Sequence, residues 1–183
     1  TLELALGKGG EGIANAIIDS PGFDPFRGGA SLHHATPIET LAARGSMPML
    51  RKALEHEAPK SFSGRLAIEA AAKRANTDFL EELLSHKKVR QSVQPYELHN
   101  AIDESISTGD ASNIEAILDA LAKEHSECSN VFYSVQKAVL ARKPGIAKRV
   151  IDKHPRCVGE YTAKELERKV GRSMTADVRD ALD

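Results

Sequence analysis

At 183 residues the chain has room for one domain or one continuous array of small units, and its apolar fraction of 41 % against 28 % charged excludes a disordered chain. A net charge of −1 gives no global pull toward nucleic acid or an anionic membrane, and no apolar run approaches the roughly 18 residues of a membrane span. With aromatics at 4 % and no Trp, a core must be built from Ala, Leu, Ile and Val, which suits closely packed helices.

The elements come in a repeating frame, set by a turn residue between two apolar patterns. Around Gly9 the frame holds Leu2, Glu3, Ala5 and Leu6 before the turn, then Ile13, Ala14, Ile17 and Ile18 after it. Around Gly45 it holds Ile38, Glu39, Leu41 and Ala42, then Met49, Leu50, Ala53 and Leu54. Around Ala75 it holds Ile68, Glu69, Ala71 and Ala72, then Phe79, Leu80, Leu83 and Leu84. Around Gly109 it holds Ile102, Asp103, Ser105 and Ile106, then Asn113, Ile114, Ile117 and Leu118. Around Arg142 it holds Val135, Gln136, Ala138 and Val139, then Ile146, Ala147, Val150 and Ile151.

The turn residues lie 36, 30, 34 and 33 residues apart. Each copy predicts two antiparallel helices, the second with an apolar stripe along one face. Glycine at Gly9, Gly45 and Gly109 suits a helix end that turns through a left-handed conformation, whereas Ala75 and Arg142 predict costlier or differently shaped turns. Thr36-Pro37 reads as a cap followed by proline at the first helical position. A weaker sixth copy falls around Ser173, with Leu166, Val170, Val178, Ala181 and Leu182, and reads as a polar terminal cap. Thr1-Leu2 falls inside the first helix of copy one, which predicts an array continuing upstream.

"TPIETLAARGSMPMLRKALEHEA" (36–58) resembles an ankyrin repeat, whose pattern runs Thr-Pro-Leu-His-x-Ala-Ala-x-x-Gly before an apolar helix. "LAIEAAAKRANTDFLEELLSHK" and "LELALGKGGEGIANAIIDS" resemble it nearly as well. The resemblance covers the whole chain; the tetratricopeptide rival lacks its Trp, Gly-Tyr and Pro signature here. It implies an all-α, ankyrin-like helix-turn-helix solenoid of about five to six repeats. The copies span approximately 1–24, 36–60, 65–90, 99–124 and 132–157, with a capping unit at 160–183.

The pattern departs from the family where His is usual: Glu3, Glu39, Glu69, Asp103 and Gln136 stand there. A carboxylate only accepts hydrogen bonds, so the bonding between repeats at those positions is expected to turn toward backbone N–H donors. Asp19 to Ala35 and Asp119 to Tyr133 replace the short finger hairpins of the family with irregular loops.

Two chemical constellations stand out. His125-x-x-Cys128 and His154-x-x-Cys157 supply two imidazoles and two thiols, a set able to make a tetrahedral zinc site. Against it, neither pair has a zinc-finger spacing, and two cysteines are too few for a disulfide-framed scaffold, so reduced thiols in an intracellular protein are expected. Neither His33-His34 nor the Gly7–Gly12 stretch completes a catalytic or phosphate-loop motif, so no enzymatic activity and no cofactor are expected.

Carried over by position, the resemblance places partner-binding residues ahead of the turns and at the entrances of first helices. These are Lys8, Arg44, Lys73, Arg74 and Thr108, with His34, Arg65 and His99 at the entrances and Phe62, Tyr96 and Phe132 in or beside the finger loops. Arg44, Arg65, Lys73 and Arg74 form a cationic cluster suited to an acidic segment of a protein partner. The expectation is a protein–protein interaction domain of an intracellular protein, in cytoplasm or nucleus, binding neither nucleic acid nor membrane. Polar Ser105 and Asn113 predict a loosely packed fourth copy, in which Ile117→Ala costs less than Leu83→Ala.

Overall fold

The computed structural model describes residues 2–28, 35–59, 61–122, 128–158, 163–171 and 175–180. The described residues are helical or irregular, with no strand among them. They divide into two compact units, Thr1–Val93 and Gln94–Asp183.

Unit 1 contains α1 (Leu2–Gly7) and α2 (Glu11–Ile18), α3 (Pro37–Arg44) and α4 (Met47–Leu54), α5 (Arg65–Lys73) and α6 (Thr77–Ser85), then a short α7 (Lys87–Gln91). First helices lie side by side, α1 on α3 and α3 on α5, while α2 packs on α4. The stripes of the frame do this. Ile38, Leu41 and Ala42 of α3, Ile68, Ala71 and Ala72 of α5, and Leu50, Ala53, Leu80 and Leu83 of the second helices lose all contact with solvent. Each buried Leu or Ile contributes about 1.5–3 kcal/mol, and the alanines let first helices approach closely.

Unit 2 opens on a single 3-10 turn, Pro95–Leu98, leading into α8 (His99–Thr108) and α9 (Ala111–Ala122). There follow α10 (Cys128–Leu140) and α11 (Pro144–Lys153), the four-residue α12 (Pro155–Val158), α13 (Ala163–Val170) and α14 (Ala176–Asp180). Here α10 packs between α8 and α13, α11 between α9 and α14, and α12 on both α10 and α11.

Local chemistry explains the helix ends. Thr36 closes a capping box with Glu39: Thr36 Oγ1 accepts from Glu39 N–H at 3.3 Å and a Glu39 carboxylate oxygen accepts from Thr36 N–H at 3.1 Å. Gly9 and Gly109 turn left-handed at φ 69° and 85°. Ala75 and Arg142 adopt the same hand at 53° and 58°, so these turns do not require glycine. The tight 6→1 bonds from Gly10, Asp110 and Lys143 N–H to Ala5, Ser105 and Ala138 C=O close three of these ends.

Gly45 departs from expectation: its φ is −73°. Its side chain is excluded instead by closeness, because a Cβ would lie 2.8 Å from Leu41 O. Packing of the fourth copy also departs. Asn113, Ser105 and Ile117 are fully buried, and Ser105 Oγ donates to Ala101 O at 2.7 Å, so a polar side chain is accommodated without loosening the pair. α10 begins at Cys128 rather than near residue 132, which puts Phe132 on a helix and not in a loop. Val131, Val135, Ala138 and Val139 give α10 a buried helical stripe that reaches back to its start.

Candidate functional site

The outward face of the first helices carries most of the residues singled out above. In unit 1, Arg44 and Lys73 are exposed at the ends of α3 and α5. The other two cations are engaged within the fold. Arg65 pairs with Glu69 one turn on, at 2.6 Å, and Arg74 donates to Gly45 O at 2.8 Å with its guanidinium 4.1 Å from the Phe79 ring centroid. Arg74 thereby ties the third helix pair to the turn of the second. Phe62 packs edge-on against Phe26, ring centroids 4.7 Å apart. His34 lies outside the described residues.

In unit 2, α8, α10 and α13 line a groove of about 460 Å³. Tyr96, 68 % exposed, stands at its entrance, and His99, Asn130, Tyr133, Gln136 and Lys169 contribute to its walls. The His99 and Tyr133 rings stack nearly parallel, centroids 3.8 Å apart, and His99 Nε2 lies 3.0 Å from Asn130 Oδ1. Tyr133 Oη donates to Asp103 at 2.9 Å, and Lys137 Nζ donates to the same oxygen at 3.2 Å. Lys137 also lies over the Tyr133 ring, 5.2 Å from its centroid. The Tyr133 ring is thus met by both the His99 imidazole and an ammonium.

Electrostatics follow from this packing. Burial holds the Tyr133 hydroxyl above its ordinary pKa of 10.0, and its bond to the Asp103 carboxylate adds to the rise. The bond with Tyr133, and then that with Asp103, raises the Lys137 ammonium above 10.5. On the second helices, burial works to lower Lys153, but Asp119 at 2.7 Å and Glu115 at 3.4 Å outweigh it and the net shift is upward.

The acids at the family's His positions are satisfied in three different ways. Glu39 accepts from a backbone N–H, but that of Thr36 in its own capping box and not of a neighbouring copy; Glu69 takes an arginine of its own helix, and Asp103 takes Tyr133 and Lys137 of the next pair. Asn130 and Tyr133 fall in the stretch read as a loop, which α10 occupies from Cys128, while Lys137 and Lys169 lie on helices that the frame placed without marking them as site residues. The Tyr133–Lys137 spacing of four, facing Asp103 one period upstream, is the signal that carries them.

The zinc alternative meets a direct obstacle. Cys128 and Cys157 are joined in a disulfide, so neither sulfur is a thiolate able to hold a metal, and the expected free thiols are absent. His154 is buried in unit 2, and His125 lies outside the described residues. Among the described residues no group of three or more His, Cys, Asp or Glu could hold a metal ion, and no helix is long and apolar enough to cross a membrane. No protein-family model, curated protein or solved structure matches the chain.

Proposed function

We propose that the chain is a non-enzymatic protein-interaction module of ankyrin-like build, binding a partner protein on the outward face of its first helices. The frame supports the ankyrin-like reading: paired helices recur near one period, and first helices lie on first helices within each unit. Such pairs bury their stripes only against neighbours, which within each unit leaves the other sides of the first helices available for recognition. The intracellular location expected above loses its support from free thiols, since the cysteines are bonded.

The groove of unit 2 carries the functional reading. An aromatic ring left 68 % exposed beside a preorganised His–Tyr–Asp–Lys network is a rigid anchor point of the kind that dominates protein interfaces. In unit 1, Arg44 and Lys73 offer charge to an acidic segment of the partner. Capture from the source organism's lysate tests the reading, comparing the native chain with a Tyr96→Ser, Lys169→Glu variant and an Arg44→Glu, Lys73→Glu variant. All four side chains are exposed, so the variants fold as the native chain does. A protein held by the native chain and lost from either variant supports the proposal; identical captures by all three refute it.

A further inference from the structure

From the position of the disulfide we infer that the groove of unit 2 exists only in the oxidised chain, and that the protein therefore works in an oxidising compartment. The functional consequence rests on the groove being the binding face; the structural claim does not.

Cys128 is the first residue of α10, the helix that supplies Asn130, Tyr133 and Gln136 to the groove. The covalent partner, Cys157, sits in α12, only four residues long and too short to be helical by itself. The bond pins the start of α10 to this short segment. Asn130 and Tyr133, two and five residues beyond Cys128, hold His99 through a hydrogen bond and a ring stack. Release of the first turn of α10 therefore frees His99 and removes a wall of the groove.

Burial fits a lasting bond over one that is cycled. Cys128 is 9 % exposed and Cys157 2 %, so an attacking thiolate has little access to either sulfur. Forming the bond takes two protons and two electrons from the thiols and passes them to a disulfide-class oxidant, which leaves as two thiols. Such bonds persist where that oxidant is maintained and not where glutathione and thioredoxin keep thiols reduced.

Two measurements test this. Protein taken from its source cells and alkylated at harvest with N-ethylmaleimide in denaturant, which opens buried thiols to the reagent, is expected to carry no adduct at Cys128 or Cys157; adducts on both overturn the compartment claim. Hydrogen exchange then compares the oxidised chain with one reduced by dithiothreitol and alkylated. Amides of 129–133 and 156–158 are expected to exchange at least ~10-fold faster after reduction, and unchanged protection there overturns the clamp. A Cys128→Ser, Cys157→Ser chain, which carries no bulky adduct, must show the same loss; native-like exchange in it likewise overturns the clamp. Neither result bears on whether Tyr96 meets a partner, which the capture experiment decides separately.

Discussion

Tyr133 donates its hydroxyl to Asp103 at 2.9 Å while its ring lies flat on His99 at 3.8 Å, so one side chain of α10 grips two residues a turn apart on α8. This is a link between neighbouring helix pairs at the position where the ankyrin pattern has a histidine. It does the joining work with a carboxylate acceptor and a phenol donor.

Tyr133→Phe keeps the stack and removes the bond. Because Asp103 is half-open to solvent, the loss predicted is about 1 kcal/mol, within the usual range for one hydrogen bond. Urea denaturation of the two proteins measures it, and a difference under ~0.3 kcal/mol shows that water replaces the phenol fully.

The same pair sets an alkaline limit. Tyr133 and Lys137 both hold their protons more tightly in the folded chain than their ordinary values of 10.0 and 10.5. Their contribution is complete below those unfolded values and is lost as pH rises through the higher folded ones, because the unfolded state releases protons first. Thermal melts across the alkaline range are predicted to fall faster for the native chain than for Tyr133→Phe. Absorbance titration at a tyrosinate wavelength is predicted to show one late-ionising tyrosine that the variant lacks.

Turns give predictions of both signs. Ala75→Gly and Arg142→Gly relieve a left-handed backbone and are expected to stabilise by about 0.5–1 kcal/mol each. Gly109→Ala imposes the same strain where φ is 85° and costs about 1 kcal/mol. Gly45→Ala also destabilises, by contact with Leu41 rather than by φ. Equilibrium denaturation of the four variants separates these mechanisms, and a stabilising Gly45→Ala contradicts the contact argument.

Arg74 and Lys73 are adjacent in sequence and opposite in role. Arg74→Ala loses a bond to Gly45 O and the contact with Phe79, for about 1–2 kcal/mol; Lys73→Ala changes stability by less than ~0.5 kcal/mol. Equal effects in a urea melt contradict this division.

Leu83→Ala and Ile117→Ala are each predicted to cost about 2–5 kcal/mol, since both side chains are fully buried. A markedly smaller loss at Ile117 restores the looser fourth pair that its polar neighbours suggested.

How much of this was legible follows from where the information resides. Helix pairs were readable because burying stripes such as Leu80–Leu83–Leu84 requires apolar residues at fixed offsets, and a repeated requirement shows itself as a period. Turn hand was readable neither from residue type nor from the frame alone, since Ala75 and Arg142 turn left without glycine and Gly45, at the same frame position, does not turn left with it. The Cys128–Cys157 bond was illegible because proximity, not a spacing of 29, makes a disulfide. Arg74 and Arg65 looked like free cations for the same reason: composition shows the charge, and only packing shows Gly45 O and the Glu69 carboxylate beside it. The start of α10 was misplaced, and with it the groove, because the predicted loop from Asp119 to Tyr133 ends a turn early at Cys128.

The central claim is that Tyr96 and the groove behind it are where this chain meets another protein. Isothermal titration of the purified captured partner into the native chain and into Tyr96→Ser tests it most directly. The account predicts affinity at least ~10-fold weaker for the variant, the loss of one interface anchor, with folding unchanged by circular dichroism. Equal affinity for the two proteins contradicts it and moves the interface off the groove.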